Sequence, residues 1–272
     1  MKNIKKIITI ALCMFVIISS AVMVSAEESE FSGIVSKNVE VLGGGDVEVL
    51  IDIAGNPGIT ALILEVSYDD EVLTLKENGF TDTGLLVGNI QTTLTRNPFR
   101  LSWQHSDATA ANNYQNGSVA KLAFEMKDGF VGTTDINVKV FSAQSFVDDM
   151  FVRAPAMENG VISVTRPKLA IKDGEVFANS LNGETLMIAS YNGDAMINCK
   201  VYPNSTADMQ LTIADVLNLS GATKVKAFLW SSLENLAPVC NFAEEELNIT
   251  DIELQRFLSR KIDYGNNLAT KY

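Results

Sequence analysis

Histidine is almost missing from this chain: His105 is the only one in 272 residues, against three cysteines and six prolines. Each scarcity removes a class of chemistry. Structural and catalytic zinc sites draw on clustered His and Cys at short spacing, and no such cluster is present. A Ser-His-Asp triad needs a base held between its nucleophile and its carboxylate. Ser106 and Asp107 follow His105 directly, but consecutive residues of a strand point to opposite faces. No glycine-rich loop leads from a strand into a helix, so a phosphate cradle is missing. The alternating Asp/Asn pattern of a calcium loop is missing too, and Asp173-Gly174-Glu175 is too short to be one. The 33 acidic residues allow many carboxylate pairs, yet none stands out as the acid and base of a glycosidase. The expectation is a protein that is not an enzyme and has no cofactor and no metal.

Long apolar runs are also scarce. One exists, Ile7 to Val24, preceded by Lys2, Lys5 and Lys6 and followed by the small residues of Val24-Ser25-Ala26. That order is the signature of a secretory signal peptide over residues 1–26. Leu12, before Cys13, is too large for a lipoprotein cleavage site. After cleavage no segment is long and apolar enough to cross a bilayer as a helix, so no membrane contact is expected of the mature chain. The leader takes three lysines and no acid with it, leaving 18 basic against 33 acidic residues, a net charge of −15. Such a surface repels phosphate backbones, which argues against nucleic acid as a partner. Cys199 and Cys240 remain. Export permits a disulfide between them, whereas a chain of this size builds its core without one. Both arrangements stay open.

What the sequence has in quantity is alternation. Val47, Val49, Ile51 and Ile53 alternate with Glu48, Leu50 and Asp52. Leu62, Leu64, Val66 and Tyr68 alternate with Ala61, Ile63, Glu65 and Ser67; Leu122, Phe124 and Met126 follow the same period, as do Ile136, Val138 and Val140. A strand with this period buries one face and exposes the other. Gly43-Gly44-Gly45-Asp46, Gly55-Asn56-Pro57-Gly58, Asn116-Gly117 and Asp128-Gly129 punctuate the runs as turns. Many short strands without helices between them predict an all-β sandwich over residues 31–164.

A break at Thr165-Arg166-Pro167-Lys168 precedes a second, smaller β-domain, expected over 168–242. Its strands are signalled by Leu186 and Ile188, by a turn at Asn192-Gly193-Asp194, and by Val225, Ala227 and Leu229 before Trp230. Residues 243–272 read as a tail. Thr250 and Glu253 have capping-box spacing, and Ile252, Phe257, Leu258 and Ile262 gather near one helical face, which predicts a short helix over about 251–262.

The first domain resembles a cohesin, the module by which cellulosome scaffolds and related bacterial surface proteins capture dockerins. Four stretches carry the resemblance, in the family's order: Gly45-Asp46-Val47-Glu48-Val49; Leu64-Glu65-Val66-Ser67-Tyr68-Asp69 with Val72-Leu73; Gly117 through Lys127; and Gly160-Val161-Ile162-Ser163-Val164. It implies a jelly-roll sandwich of about nine strands and a partner held across one exposed sheet face. The positions matching the family's anchoring residues are Ala61, Ile63 and Glu65 on the third strand, with Gln104 and His105 after a middle strand. Where Asn and Asp are common in the family, this chain has Ala61 and Ile63, which replace hydrogen-bonding groups with apolar ones. An outward apolar pair suits the core of an interface. The second half resembles an accessory module of secreted bacterial proteins, through Ala189-Ser190-Tyr191-Asn192 and the run Lys224 to Leu233 with Pro238. Trp230 there reads as a buried sandwich tryptophan in preference to a sugar platform.

The resulting expectation is a secreted, extracellular adaptor that captures a dockerin-like partner, with any hold on the cell surface supplied by another contact. The alternatives are carbohydrate binding in polysaccharide breakdown, with Trp103 as the stacking platform, and a plain structural spacer.

Overall fold

A computed structural model describes residues 31–105 and 112–247. The expected leader with Cys13, the dipeptide Ser106-Asp107, and the residues beyond 247 with their expected helix lie outside the described residues. Among the described residues no helix is long and apolar enough to cross a membrane. The described chain is built almost wholly of strands.

The first unit is two stacked sheets. One has four strands in the order β1 (Gly33–Ile34), β3 (Asp46–Ala54), β8 (Gly117–Met126), β5 (Leu73–Asp82). The other runs β2 (Lys37–Glu40), β11 (Gly160–Arg166), β9 (Gly132–Val147), β4 (Ala61–Tyr68), β7 (Phe99–Gln104), β6 (Gln91–Thr92), with β10 (Met150–Arg153) paired to the far end of β9. Neighbours are antiparallel except β2 and β11. Eleven strands stand where about nine were expected; β1, β2, β6 and β10 have four residues or fewer.

The period-two reading explains the packing. Val47, Val49, Ile51 and Ile53 of β3 and Leu62, Leu64 and Val66 of β4 point inward, where they meet Leu122, Phe124, Met126, Ile136 and Val138 in one core. Tyr68 closes its edge, with its ring edge-on to Phe124 at 5.0 Å. The glycine turn after β3 is a steric necessity. Gly55 has φ +57°, and a Cβ there would sit 1.9 Å from the Phe31 carbonyl oxygen. Asp148 and Asp149, both at positive φ, turn β9 into β10 in a two-residue hairpin loop.

The second unit has its own core of Leu169, Val176, Leu186, Ile188, Ile213, Val225, Ala227 and Leu229. Its sheets are β12 (Leu169–Lys172), β13 (Glu175–Ala178), β16 (Met209–Thr212), and β15 (Ala195–Ser205), β14 (Glu184–Asn192), β17 (Lys224–Trp230), β18 (Ala243–Glu246). The single helical turn is α1 (Ile213–Val216). Strand β18 falls beyond the boundary expected at 242. Its Glu244 lies opposite Lys226 and pairs with it at 2.8 Å, so the first residues of the expected tail complete the sheet edge. Trp230 also departs from expectation. Val225, Ala227 and Leu229 take the core side, which leaves Phe228 and Trp230 together on the outer side, 6.1 Å apart and half-buried.

The two units meet at Arg166. This buried guanidinium donates to Asp208 at 2.6 Å, and the other Asp208 oxygen accepts the Ser180 backbone N–H at 2.6 Å. The Ser180 hydroxyl donates to the Gly129 carbonyl at 3.0 Å.

Candidate functional site

Strand β4 lies in the middle of the larger sheet, between β9 and β7. Its inward residues are buried, so by alternation Ala61, Ile63 and Glu65 stand on the outer face, half-buried. The register sets them in rows. Ala61 lies between Gln104 and Gln144, Ile63 between Ser102 and Ser142, and Glu65 between Arg100 and Lys139. The structure therefore brings four of the five expected positions onto one face, with Gln104 directly opposite Ala61. His105 follows the end of β7, where its backbone N–H donates to Thr60 at 2.8 Å and its ring meets Trp103 edge-on.

Two features of this face were not expected from sequence. Arg100 donates through both Nε and Nη2 to one Glu65 oxygen, at 3.1 and 3.0 Å. Its guanidinium also lies 3.8 Å from the centre of the Phe141 ring. Phe141 reaches the outer face because β9 bulges there: Ile63 faces Ser142 and Leu64 faces Val140, leaving Phe141 as the extra residue. The signal was legible in Val140-Phe141, where two adjacent apolar residues break a strict alternation. The result is an apolar spot, Ile63 and Phe141, beside an arginine held flat by its ion pair. Such a surface suits contact with another macromolecule.

Trp103 is a correction. As a sugar platform its ring would have to be open to solvent, yet it is 3% exposed. It shares the inward phase of Phe99 and Leu101 on β7, and its Nε1–H is satisfied by the Val87 carbonyl at 3.0 Å. Cys199 and Cys240 are both free thiols; the first is exposed on β15, and burial raises the pKa of the second. The disulfide left open by the sequence is not formed. Among the described residues no group of three or more His, Cys, Asp and Glu could hold a metal ion.

No family model matches the chain, and no curated protein matches it. Solved structures do match about half of it, and they are cohesins. The seventh ScaB type I cohesin from Pseudobacteroides cellulosolvens is 22% identical, with a TM-score of 0.41, over 50% of this chain and 91% of that one. A type I cohesin–dockerin complex from Clostridium thermocellum is 12% identical, with a TM-score of 0.40, over 52% and 99%. A non-cellulosomal cohesin from the hyperthermophilic archaeon Archaeoglobus fulgidus is 16% identical, with a TM-score of 0.38, over 50% and 91%.

Proposed function

We propose that the first unit is a non-catalytic binding module that captures a dockerin-like partner on the outer face of β9, β4, β7 and β6, and that the protein works outside the cell as an adaptor. The observation that carries this reading is the central strand β4, whose outward residues Ala61, Ile63 and Glu65 are only half-buried in mid-sheet. A strand in mid-sheet offers flat, rigid backbone, and Ile63 with Phe141 offers apolar surface to a helix laid across it. The sequence resemblance supplies the class of partner. The leader supports export, and a partner carried by polysaccharide-degrading enzymes fits an extracellular adaptor.

The test is calorimetric titration of the full chain with calcium-loaded dockerins. A dissociation constant in the micromolar range or tighter is expected for at least one. Ile63→Asp should weaken that binding by more than about tenfold, about 1.4 kcal/mol, with the melting temperature unchanged. Leu50→Asp, on the outer face of the opposite sheet, should leave it unaltered. Equal weakening by both substitutions, or no binding by any dockerin, would remove this reading.

Carbohydrate binding moves away from Trp103. The pair that now favours it is Phe228 and Trp230 on the second unit, since half-buried rings side by side suit stacking on sugar.

A further inference from the structure

Strand β9 loses its neighbour partway along. Its first half pairs with β11 as far as Val138 opposite Gly160, and its far end pairs with β10 from Gln144 onward. Between them the chain swings away. The Ala154 N–H still reaches the Ala143 carbonyl at 3.0 Å, and the Asn159 side chain accepts the Val140 N–H at 2.9 Å in place of a ladder bond. The gap is a notch of about 480 Å³, lined among others by Phe141, Ser142, Phe151, Arg153, Pro155 and Met157. A space of this size falls in the range of small binding pockets, about 300–1,000 Å³.

Three observations give the notch a chemistry. The β9–β10 hairpin beside it exposes apolar side chains on both of its faces, Phe151 on the side of Arg153 and Gln144, and Val147, Met150 and Val152 on the other, each at least 36% exposed. Exposed apolar side chains gathered on one short hairpin mark an interaction site. Phe146 and Phe151 stack edge-on at 5.2 Å, which stiffens the hairpin. The third observation is charge. In a chain of net charge −12, Arg153 and Lys139 form no ion pair among the described residues. Arg153 lines the notch, and Lys139 stands on the outer side of β9 two residues before Phe141. Glu65 is engaged by Arg100, and Asp148 and Asp149 lie at the hairpin turn, four residues or more from Arg153 in sequence.

We propose that this notch is the anchor point for the partner, and that it takes an apolar side chain with a carboxylate beside it. The partner segment is an acidic amphipathic helix. Its aromatic or aliphatic residue fills the gap between Phe141 and Phe151, and an adjacent Glu or Asp meets Arg153, with Lys139 extending the positive edge. The assignment rests on the reading of this face as a partner surface. It adds that selectivity comes from charge at the hairpin end, where Arg153 lies opposite Gln144, the residue that faces Ala61.

Two synthetic amphipathic peptides test it, with one shared Leu/Phe stripe flanked by Glu in the first and Lys in the second. Each is titrated against the full chain by fluorescence anisotropy. The Glu peptide is expected to bind at least tenfold more tightly. Arg153→Glu should abolish or reverse that preference, and Phe151→Ala should weaken both peptides several-fold with the unfolding transition unchanged. Equal affinities, indifference to Arg153→Glu, or no binding by either peptide would overturn the notch assignment. The two readings fail separately. Dockerin capture that is lost on Ile63→Asp but insensitive to Arg153→Glu retains the face and removes the notch. Selection of the Glu peptide without dockerin binding retains the notch and changes the partner.

Discussion

The two outer faces of the first sandwich are made of the same alternating strands, yet they differ in what their outward residues do. On the four-stranded sheet charges answer one another around the exposed Leu50: Lys121 meets Glu48 at 3.1 Å on the neighbouring strand, and Lys76 of β5 reaches Asp46 of β3 at 2.5 Å across β8. Such a face is at home in water. On the larger sheet the centre is Ile63 and Phe141, and the ion pair of Arg100 with Glu65 holds a guanidinium over the aromatic ring. Burial pattern alone does not distinguish these two faces; the pairing of their outward charges does.

The largest way to break this comparison is to confuse inside with outside on β7. Trp103→Ala should cost about 3–5 kcal/mol, because the ring fills the core and its N–H is bonded to Val87. Thermal or denaturant unfolding reads this directly. A variant with unchanged stability would mean that the ring lies outside, on the outer face of the larger sheet.

Most of the fold was legible because strand alternation is a local property. The strands through Val47–Ile53, Leu62–Tyr68 and Leu122–Met126 needed only their own residues to be found. The outward phase of Ala61, Ile63 and Glu65 followed from the same period. What escaped was non-local. Phe141 reaches the face through a bulge whose register is set by β4, and Arg153 reaches the notch because the segment after it leaves the sheet. Trp103 and Trp230 show the same limit. Aromatic residues were weighed by type, whereas phase along the strand decides: Trp103 is in step with Phe99 and Leu101, and Trp230 is out of step with Leu229. Strand β18 was missed because Ala243-Glu244-Glu245-Glu246 has no apolar period and gains its place through Lys224 and Lys226 opposite.

A middle-sized effect sharpens the contrast between the two kinds of ion pair. Arg100→Ala removes a two-nitrogen contact to Glu65 and the cover over Phe141 together. It should cost about 1 kcal/mol of stability and leave Phe141 more open. Lys121→Ala, which breaks a single exposed pair with Glu48, should cost less than about 0.5 kcal/mol. Chemical denaturation of the two variants side by side checks the order. Equal costs would mean that the arginine is not held by its ring contact, and the distinction between the faces would lose its energetic basis.

The smallest effect belongs to the rim where the sheets meet. Asp52 of β3 accepts Lys37 of β2 at 2.7 Å and the Ser118 hydroxyl of β8 at 2.5 Å, so one carboxylate ties the four-stranded sheet to the larger one. Burial alone would raise its pKa. The hydrogen bonds from Lys37 and Ser118, with the Lys37 charge, outweigh that and lower it. A folded-state value below the unfolded value of about 3.9 means that the ionised form is bound better by the folded chain. Its contribution is therefore complete above the unfolded value and is lost as pH falls through the folded one. Comparison with Asp52→Asn isolates this group from the other acids. The native protein should exceed the variant by about 0.5–1 kcal/mol at neutral pH, and the gap should close only as acid takes the pH below about 4. The gap is read from paired thermal melts over that range. A gap that widened on acidification would reverse the sign of the linkage and would show that burial, not Lys37, governs the rim.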